Sequence, residues 1–130
     1  MQKKLNPVDL VLDIKSDIYL EHVSSCEETL NNTSTSDNTD MLSEGVRFYQ
    51  SLNENQKNLF FYLIKNSISD TISNVFGWLD GVYYLENQTE NLELKFEKSG
   101  NKINGFLQDI WLALEEGEDI DELRKLYENY

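Results

Sequence analysis

Residues 53–79, NENQKNLFFYLIKNSISDTISNVFGWL, form the most regular stretch of this sequence and decide its predicted fold. Apolar side chains recur in it at steps of three and four residues, which is the spacing of one face of an α-helix. This apolar stripe consists of Phe60, Ile64, Ile68, Ile72, Val75, Phe76 and Leu79, and is widened by Phe61, Leu63 and Trp78. Asn53 and Gln56 have the spacing of a capping box, so the helix is predicted to begin there. The width of the stripe predicts a central helix with two buried faces.

A second helix is predicted over residues 7–30, upstream of this stretch. Its apolar residues also fall on one helical face: Val8, Val11, Leu12, Ile18 and Tyr19. Pro7 suits the first turn of a helix, and Asn6 before it can act as the cap. A strand stays open as the alternative, because the apolar residues of 10–14 also alternate with polar ones.

The stretch 31–40, NNTSTSDNTD, contains no apolar side chain. Since such a stretch buries too little surface to offset the entropy of ordering, it is predicted to be a flexible polar linker. The predicted organisation is an N-terminal helical segment or arm over 1–30, the linker, and a single domain over 41–130 that begins with a short helix over 41–52. The arm could also pair with a second copy of the chain, which leaves a homodimer through residues 1–30 open.

After Gly81 the apolar period changes from helical to alternating. Residues 82–85, VYYL, are rich in strand formers, and the apolar residues at 92, 94 and 96 alternate with charged ones. Ile103 is predicted to begin a short return strand. Helices are predicted again from about residue 106 and after a cap at Asp119. The predicted fold class is therefore α+β, mostly helical with a small antiparallel sheet of two or three strands.

The chain carries 24 acidic against 11 basic side chains, a net charge of −13 at pH 7. This balance argues against direct nucleic-acid binding and against anionic membrane surfaces, both of which attract Lys and Arg. It is suited either to solubility or to electrostatic steering onto a basic protein. No apolar run has the length of a signal peptide core or of a membrane span, so the expected location is the cytoplasm.

Few residues suggest catalysis or metal binding. His22 and Cys26 stand four residues apart, which is half of a metal site or a thiol beside a base, but the chain has no second His or Cys. The acidic run 115–122 lacks the ligand spacing of a calcium loop, and the glycines form no phosphate-binding loop. We therefore expect a protein that is not an enzyme and that uses no cofactor and no metal.

A family resemblance lies in the second half of the chain. The segments FGWLDGVYYL at 76–85, LEL at 92–94 and LQDIW at 107–111 resemble a pattern in small acidic bacterial proteins. Some of those proteins resemble immunity proteins, which neutralise a cognate toxin. The resemblance covers residues 50–116; it implies a bacterial inhibitor of another protein and supplies no binding residues.

The leading hypothesis is thus a cytoplasmic, non-enzymatic inhibitor that covers the cationic site of a basic protein, with a bacterial toxin as the partner. Acidic residues and two tyrosines are expected to contact it: Asp13, Asp17, Glu21, Tyr83, Tyr84, Glu115, Glu116, Glu118, Asp119, Asp121 and Glu122. One alternative is a phage-encoded mimic of nucleic acid that inhibits a restriction or CRISPR enzyme. Another is a small ligand-binding domain or enzyme that uses His22, Cys26, Asp80 or Asp109.

Overall fold

A computed structural model describes residues 4–35 and 38–130 of the chain, and 64% of it is helical. The helical elements are α1 (Pro7–Ile14), a π-helical segment (Lys15–Leu20), α2 (Glu21–Asn32), α3 (Met41–Ser51), α4 (Glu54–Leu79), α5 (Leu107–Glu115) and α6 (Ile120–Tyr127). The described residues contain no β-strand, so the predicted α+β class is wrong and the fold is all-α. No helix in this described part combines the length and the apolar character that a membrane crossing needs.

The helices begin where local capping signals predicted. The side chain of Asn6 accepts a hydrogen bond from the backbone N–H of Val8 at 2.9 Å, with Pro7 in the first turn of α1. Asn53 and Gln56 form the reciprocal capping box, because each side chain accepts from the other's backbone N–H at 2.9 and 3.0 Å. These bonds satisfy backbone donors that the first helical turn leaves unpaired, which is why a short sequence pattern suffices to place a helix start.

The strands predicted over 82–85 and 92–96 and at Ile103 are absent. Within the described residues the only trace of them is an isolated antiparallel bridge between Lys95 and Lys102. The alternation of apolar and charged residues over 92–96 is real, but the segment finds too little backbone pairing to build a sheet. Residues 80–106 instead form an irregular loop between α4 and α5.

A buried asparagine holds this loop in place of a sheet ladder. The amide of Asn104 donates to the carbonyl oxygens of Leu79 at 2.5 Å and Leu92 at 2.9 Å, and its Oδ1 accepts from the N–H of Leu94 at 2.9 Å. The N–H of Leu94 and the carbonyl oxygen of Leu92 are therefore paired with this side chain and not with a second strand. Because Asn104 satisfies these two groups, a longer backbone ladder is not needed to pair them.

The chain divides into two compact units. The first consists of the chain up to Lys15 together with Asp70–Tyr130, and in it α1 packs against α5 and α6. Its buried apolar side chains are Val8, Val11, Phe76, Leu107, Ile110, Trp111, Leu114 and Leu123. Arg124 ties α6 to α1, since its Nε donates to Asp9 Oδ1 at 2.8 Å.

The second unit is Ser16–Ser69, in which α2 packs against α3. Its buried apolar side chains are Tyr19, Val23, Val46 and Tyr49. The prediction that α4 has two buried faces is wrong, because Leu59 and Leu63 on this helix are 59% and 64% exposed. Phe60 lies on the covered side, with its ring centroid 5.9 Å from that of Tyr49.

The predicted linker over 31–40 contains residues 36 and 37, which lie outside the described residues. At its borders, α2 continues through Asn32, and Asp40 caps α3. Whether the remainder is flexible stays a prediction.

The cap of α3 gives a prediction about pH. Asp40 accepts hydrogen bonds from the backbone N–H of Ser43 at 2.9 Å and from its hydroxyl at 2.8 Å, and these bonds lower the pKa of the Asp40 carboxyl. A lowered folded-state pKa means that the cap stabilises α3 above the ordinary aspartate pKa and loses this effect as pH falls through the folded-state value. We expect the carboxyl ¹³C resonance of Asp40 to titrate below the ordinary range, and Ser43→Ala to move its midpoint partly upward. A midpoint unchanged by Ser43→Ala contradicts the assignment.

Candidate functional site

Six carboxylates converge where α5 ends and α6 begins. They are Glu115, Glu116, Glu118, Asp119, Asp121 and Glu122, all of them exposed, and we call this group the acidic corner. The turn between the helices is made at Gly117, which has a φ of +82° that other residues rarely adopt. Asp119 then caps α6 by accepting from the N–H of Glu122 at 3.0 Å. The local sequence thus places all six carboxylates at the end of α5, in the turn at Gly117 or at the start of α6.

Neighbouring cations neutralise only part of the acidic corner. Lys15 Nζ lies 3.2 Å from Glu115, and Arg124 Nη1 lies 3.2 Å from Asp121. Glu116, Glu118 and Glu122 have no ion-pair partner within 4.0 Å among the described residues. The corner therefore keeps an uncompensated negative charge that a cationic surface could neutralise.

The acidic corner also has an apolar floor. A shallow concavity of about 360 Å³ is lined by three of its carboxylates and by two leucines: Glu118, Asp119, Glu122, Leu123 and Leu126. Leu123 is buried, whereas Leu126 is 64% exposed. Carboxylates around apolar surface suit a lysine or arginine side chain, which buries an aliphatic stem while its charged head stays near acceptors.

The three predicted acidic residues of the N-terminal helix are all exposed, and they are divided between the two units. Asp13 lies on α1 in the first unit, whereas Asp17 and Glu21 lie in the second. The π-helical segment over Lys15–Leu20, with i→i+5 hydrogen bonds, lies between Asp13 and Glu21 and contains Asp17. Sequence periodicity missed this segment, which has no sequence signal as plain as a proline or a cap.

The two tyrosines proposed as anchors lie in the irregular loop rather than on a strand. Tyr83 is 42% exposed and Tyr84 is 48% exposed. The hydroxyl of Tyr83 donates to the carbonyl oxygen of Asn74 at 2.5 Å, which ties this side chain to α4. Both rings remain accessible to a partner.

The residues of the enzyme alternative lie in different parts of the fold: His22 and Cys26 are on α2, whereas Asp80 and Asp109 belong to the first unit. Cys26 Sγ lies 3.5 Å from His22 Nε2, but the described residues contain no group of three His, Cys, Asp or Glu side chains placed to hold a metal ion. Asp80 has a structural role, since its carboxylate accepts from the N–H groups of Gly105 at 2.7 Å and Gln108 at 2.8 Å and so caps α5. Asp109 is exposed on α5.

Sequence reasoning missed an apolar cleft of about 280 Å³ in the first unit. It is lined by Leu5, Pro7, Leu10, Phe96, Asn101, Lys102, Ile103, Asn104, Gly105, Phe106 and Tyr130. Lys102 is the only charged side chain among these lining residues. The residues come from three distant parts of the chain, so no local pattern could have pointed to the cleft.

Comparison of the chain with family models, with curated proteins and with solved structures finds no match. The resemblance to small acidic immunity-like proteins therefore stays a prediction. The functional proposal is based on the acidic corner, because carboxylates without an ion-pair partner among the described residues line a concavity there.

Proposed function

We propose that this chain is a non-enzymatic, cytoplasmic binding protein whose acidic corner covers the cationic site of a basic protein. A bacterial toxin is the partner class that the sequence resemblance implies. The observation that carries the proposal is the concavity in which Glu118 and Glu122, both without an ion-pair partner among the described residues, flank the exposed Leu126. Tyr83 and Tyr84 are proposed as a second, aromatic contact.

The expected mechanism is steering followed by occlusion. The net charge of −13 attracts a cationic surface over a distance set by the ionic strength, about 10 Å at 0.1 M salt. Once the partner has docked, carboxylates of the acidic corner replace the water around one of its lysine or arginine side chains. The partner's cationic site is then blocked. Because both steps are electrostatic, affinity should fall as salt rises.

The proposal predicts that neutralising the acidic corner abolishes capture of a basic protein. The test is a pull-down from the lysate of the native host at about 50 mM salt, followed by salt elution and mass spectrometry. The wild type should retain a basic protein that salt releases, and the triple variant Glu116→Gln, Glu118→Gln, Glu122→Gln should not retain it.

A matched control separates local charge from net charge. The variant Glu86→Gln, Glu90→Gln, Glu97→Gln removes the same number of exposed carboxylates from the 80–106 loop, so both triple variants carry a net charge of −10. The control should capture the partner like the wild type. Equal loss in the two variants would show that only total charge matters, and a salt-resistant complex would contradict the mechanism.

The identity of the captured protein decides between partner classes. If it binds DNA, competition with a DNA duplex tests whether the chain acts as a nucleic-acid mimic. If duplex DNA does not displace it, the chain is not a nucleic-acid mimic, and the proposed occlusion then requires a cationic site of the partner other than its DNA site.

A further inference from the structure

The apolar cleft of the first unit has the size and the lining of a small-molecule site. Its volume of about 280 Å³ is close to the lower end of the range for ligand pockets, about 300–1,000 Å³. Most of the residues that line it are apolar or aromatic, and three of them are partly open to water: Leu5, Phe96 and Tyr130 are 38%, 39% and 59% exposed. A bound apolar group would remove this surface from water, which favours binding.

Hydrogen bonds within the chain fix the segments that form the cleft. Asn6 caps α1 just before Pro7, and its Nδ2 donates to the carbonyl oxygen of Arg124 at 3.0 Å, which ties the start of α1 to α6. In the loop before α5, the N–H of Gly105 donates to Asp80 Oδ1 at 2.7 Å. A site whose lining is already ordered loses little conformational entropy when a ligand binds.

The polar groups of the lining favour a ligand with a negative charge. The amide of Asn104 is already used in three hydrogen bonds to backbone groups. The remaining polar side chains are Asn101, which is a neutral amide, and Lys102, which is exposed and has no ion-pair partner within 4.0 Å among the described residues. The described residues that line the cleft include no carboxylate side chain, although the chain has 24 of them. The cleft therefore presents a cation that lacks a counterion.

The sequence around Lys102 adds to this local positive charge. Residues 95–102, KFEKSGNK, carry three lysines against Glu97 alone. Lys95 is paired outside this segment with Glu93 at 3.2 Å, which leaves Lys98 and Lys102 against Glu97. A small positive excess thus lies beside the cleft in a chain whose net charge is −13. One such excess charge suits a monoanion, whereas the rest of the chain repels a group with two negative charges.

We propose that the cleft binds a small amphipathic carboxylate, such as a medium-chain fatty acid. Its apolar body lies against Leu10, Phe96 and Phe106, and its carboxylate lies beside Lys102. The lysine ammonium is a compact charge with three donors, so it pairs with a carboxylate while both groups stay near water. None of the residues of the acidic corner lines the cleft, so this site goes beyond the proposed inhibitor function.

Titration of the full chain with sodium octanoate, followed by ¹H–¹⁵N NMR, tests the proposal. Octanoate should bind with a dissociation constant of about 1 mM or lower and should shift the amide signals of Lys102, Ile103 and Phe106 most. 1-Octanol has the same chain length without the charge and should bind about fivefold more weakly, which is the upper value for an exposed ion pair. Absence of saturable shifts in the cleft, or equal affinity for octanoate and 1-octanol, overturns the proposal.

Lys102→Gln tests the carboxylate contact. This variant should raise the dissociation constant of octanoate about fivefold and leave that of 1-octanol unchanged. Lys98→Gln is the matched control, because Lys98 is exposed in the same segment but does not line the cleft. Both variants carry a net charge of −14, one more negative charge than the −13 of the wild type. Equal octanoate affinities in the two variants overturn the role of Lys102.

Leu5→Ala tests the apolar contact. It should raise the dissociation constants of octanoate and of 1-octanol alike, at least about threefold, because both ligands lose the same apolar surface. Leu112→Ala is the matched control, since Leu112 belongs to the same unit and is 44% exposed but does not line the cleft. It should bind both ligands like the wild type. Octanoate binding that Leu5→Ala leaves unchanged would place the ligand outside the cleft and overturn the assignment.

Discussion

We expect Trp111→Ala to lower the free energy of unfolding of the first unit by about 3–5 kcal/mol, the usual cost of removing a large aromatic side chain from a core. Trp111 is fully buried on α5, and its ring packs edge-on against that of Phe76 with centroids 5.9 Å apart. The loss is large beside the total stability of a typical protein, about 5–15 kcal/mol. Because α5 leads into the acidic corner, the variant should also bind the proposed basic partner more weakly.

Urea unfolding followed by the fluorescence of Trp78 measures this loss, since Trp78 belongs to the same unit and is the one tryptophan that the variant keeps. Leu112→Ala is the control. It shortens the next side chain on α5, which is 44% exposed, and should cost less than about 1 kcal/mol. A Trp111→Ala variant no less stable than this control would show that the core does not depend on Trp111.

The second large effect is expected for Asn104→Leu, about 3 kcal/mol. Leucine has a similar size but no polar atoms, so the N–H of Leu94 and the carbonyl oxygens of Leu79 and Leu92 would lose their partner. Asn104 is only 7% exposed, which limits the access of water to these groups. Unsatisfied buried groups cost about 1–3 kcal/mol each, and partial relaxation of the loop reduces the sum.

Asn101→Leu is the matched control for this prediction. Asn101 lies in the same loop, and no hydrogen bond of its side chain is present among the described residues, so this substitution should change stability little. Hydrogen exchange of the Leu94 amide gives a local readout, because Asn104→Leu should expose that amide while Asn101→Leu should leave it protected. Equal exchange in both variants contradicts the bonding role of Asn104.

Helix positions in this protein could be predicted from the sequence because the signals are short-range. The Asn6–Pro7 start of α1, the capping box at Asn53 and the cap at Asp119 all depend on groups within three residues of each other. Such bonds form in the same way whatever the rest of the chain does. The exposure of apolar side chains on α4 was not predictable. An apolar stripe shows which side chains could be buried, but it does not show whether another part of the chain covers them.

The strands failed for the opposite reason. Alternation over 92–96 is a local property, but a strand needs a paired neighbour. Here the backbone of 94–96 pairs with that of 101–103 through only two hydrogen bonds, and the N–H of Leu94 bonds to the side chain of Asn104. The resemblance motifs are explained in the same way: Asp80 and Gln108 join α4 to the start of α5 through backbone N–H and carbonyl groups. Asp80 and Gln108 therefore stabilise the fold, whereas Tyr83 and Tyr84 of the same motifs belong to the proposed binding surface.

The carboxylates of the candidate site could be predicted from the sequence, whereas its shape could not. The acidic run 115–122 can be read directly from the sequence, and the helix cap at Asp119 depends only on neighbouring residues. Which carboxylates keep a free charge depends on Lys15, which lies one hundred residues from Glu115 in the sequence and 3.2 Å from it in space. The exposed floor at Leu126 likewise depends on which side of α6 packs against α1.

The sequence by itself determined the net charge, the helix starts and the scarcity of groups for catalysis or metal binding, because each is a property of single residues or of neighbours along the chain. The tertiary structure alone decided that the fold is all-α and that large apolar side chains of α4 such as Leu59 and Leu63 stay exposed. Backbone pairing and burial require surfaces from distant segments to meet. Whether they meet depends on the free energy of the whole chain, and a local sequence pattern does not contain that information.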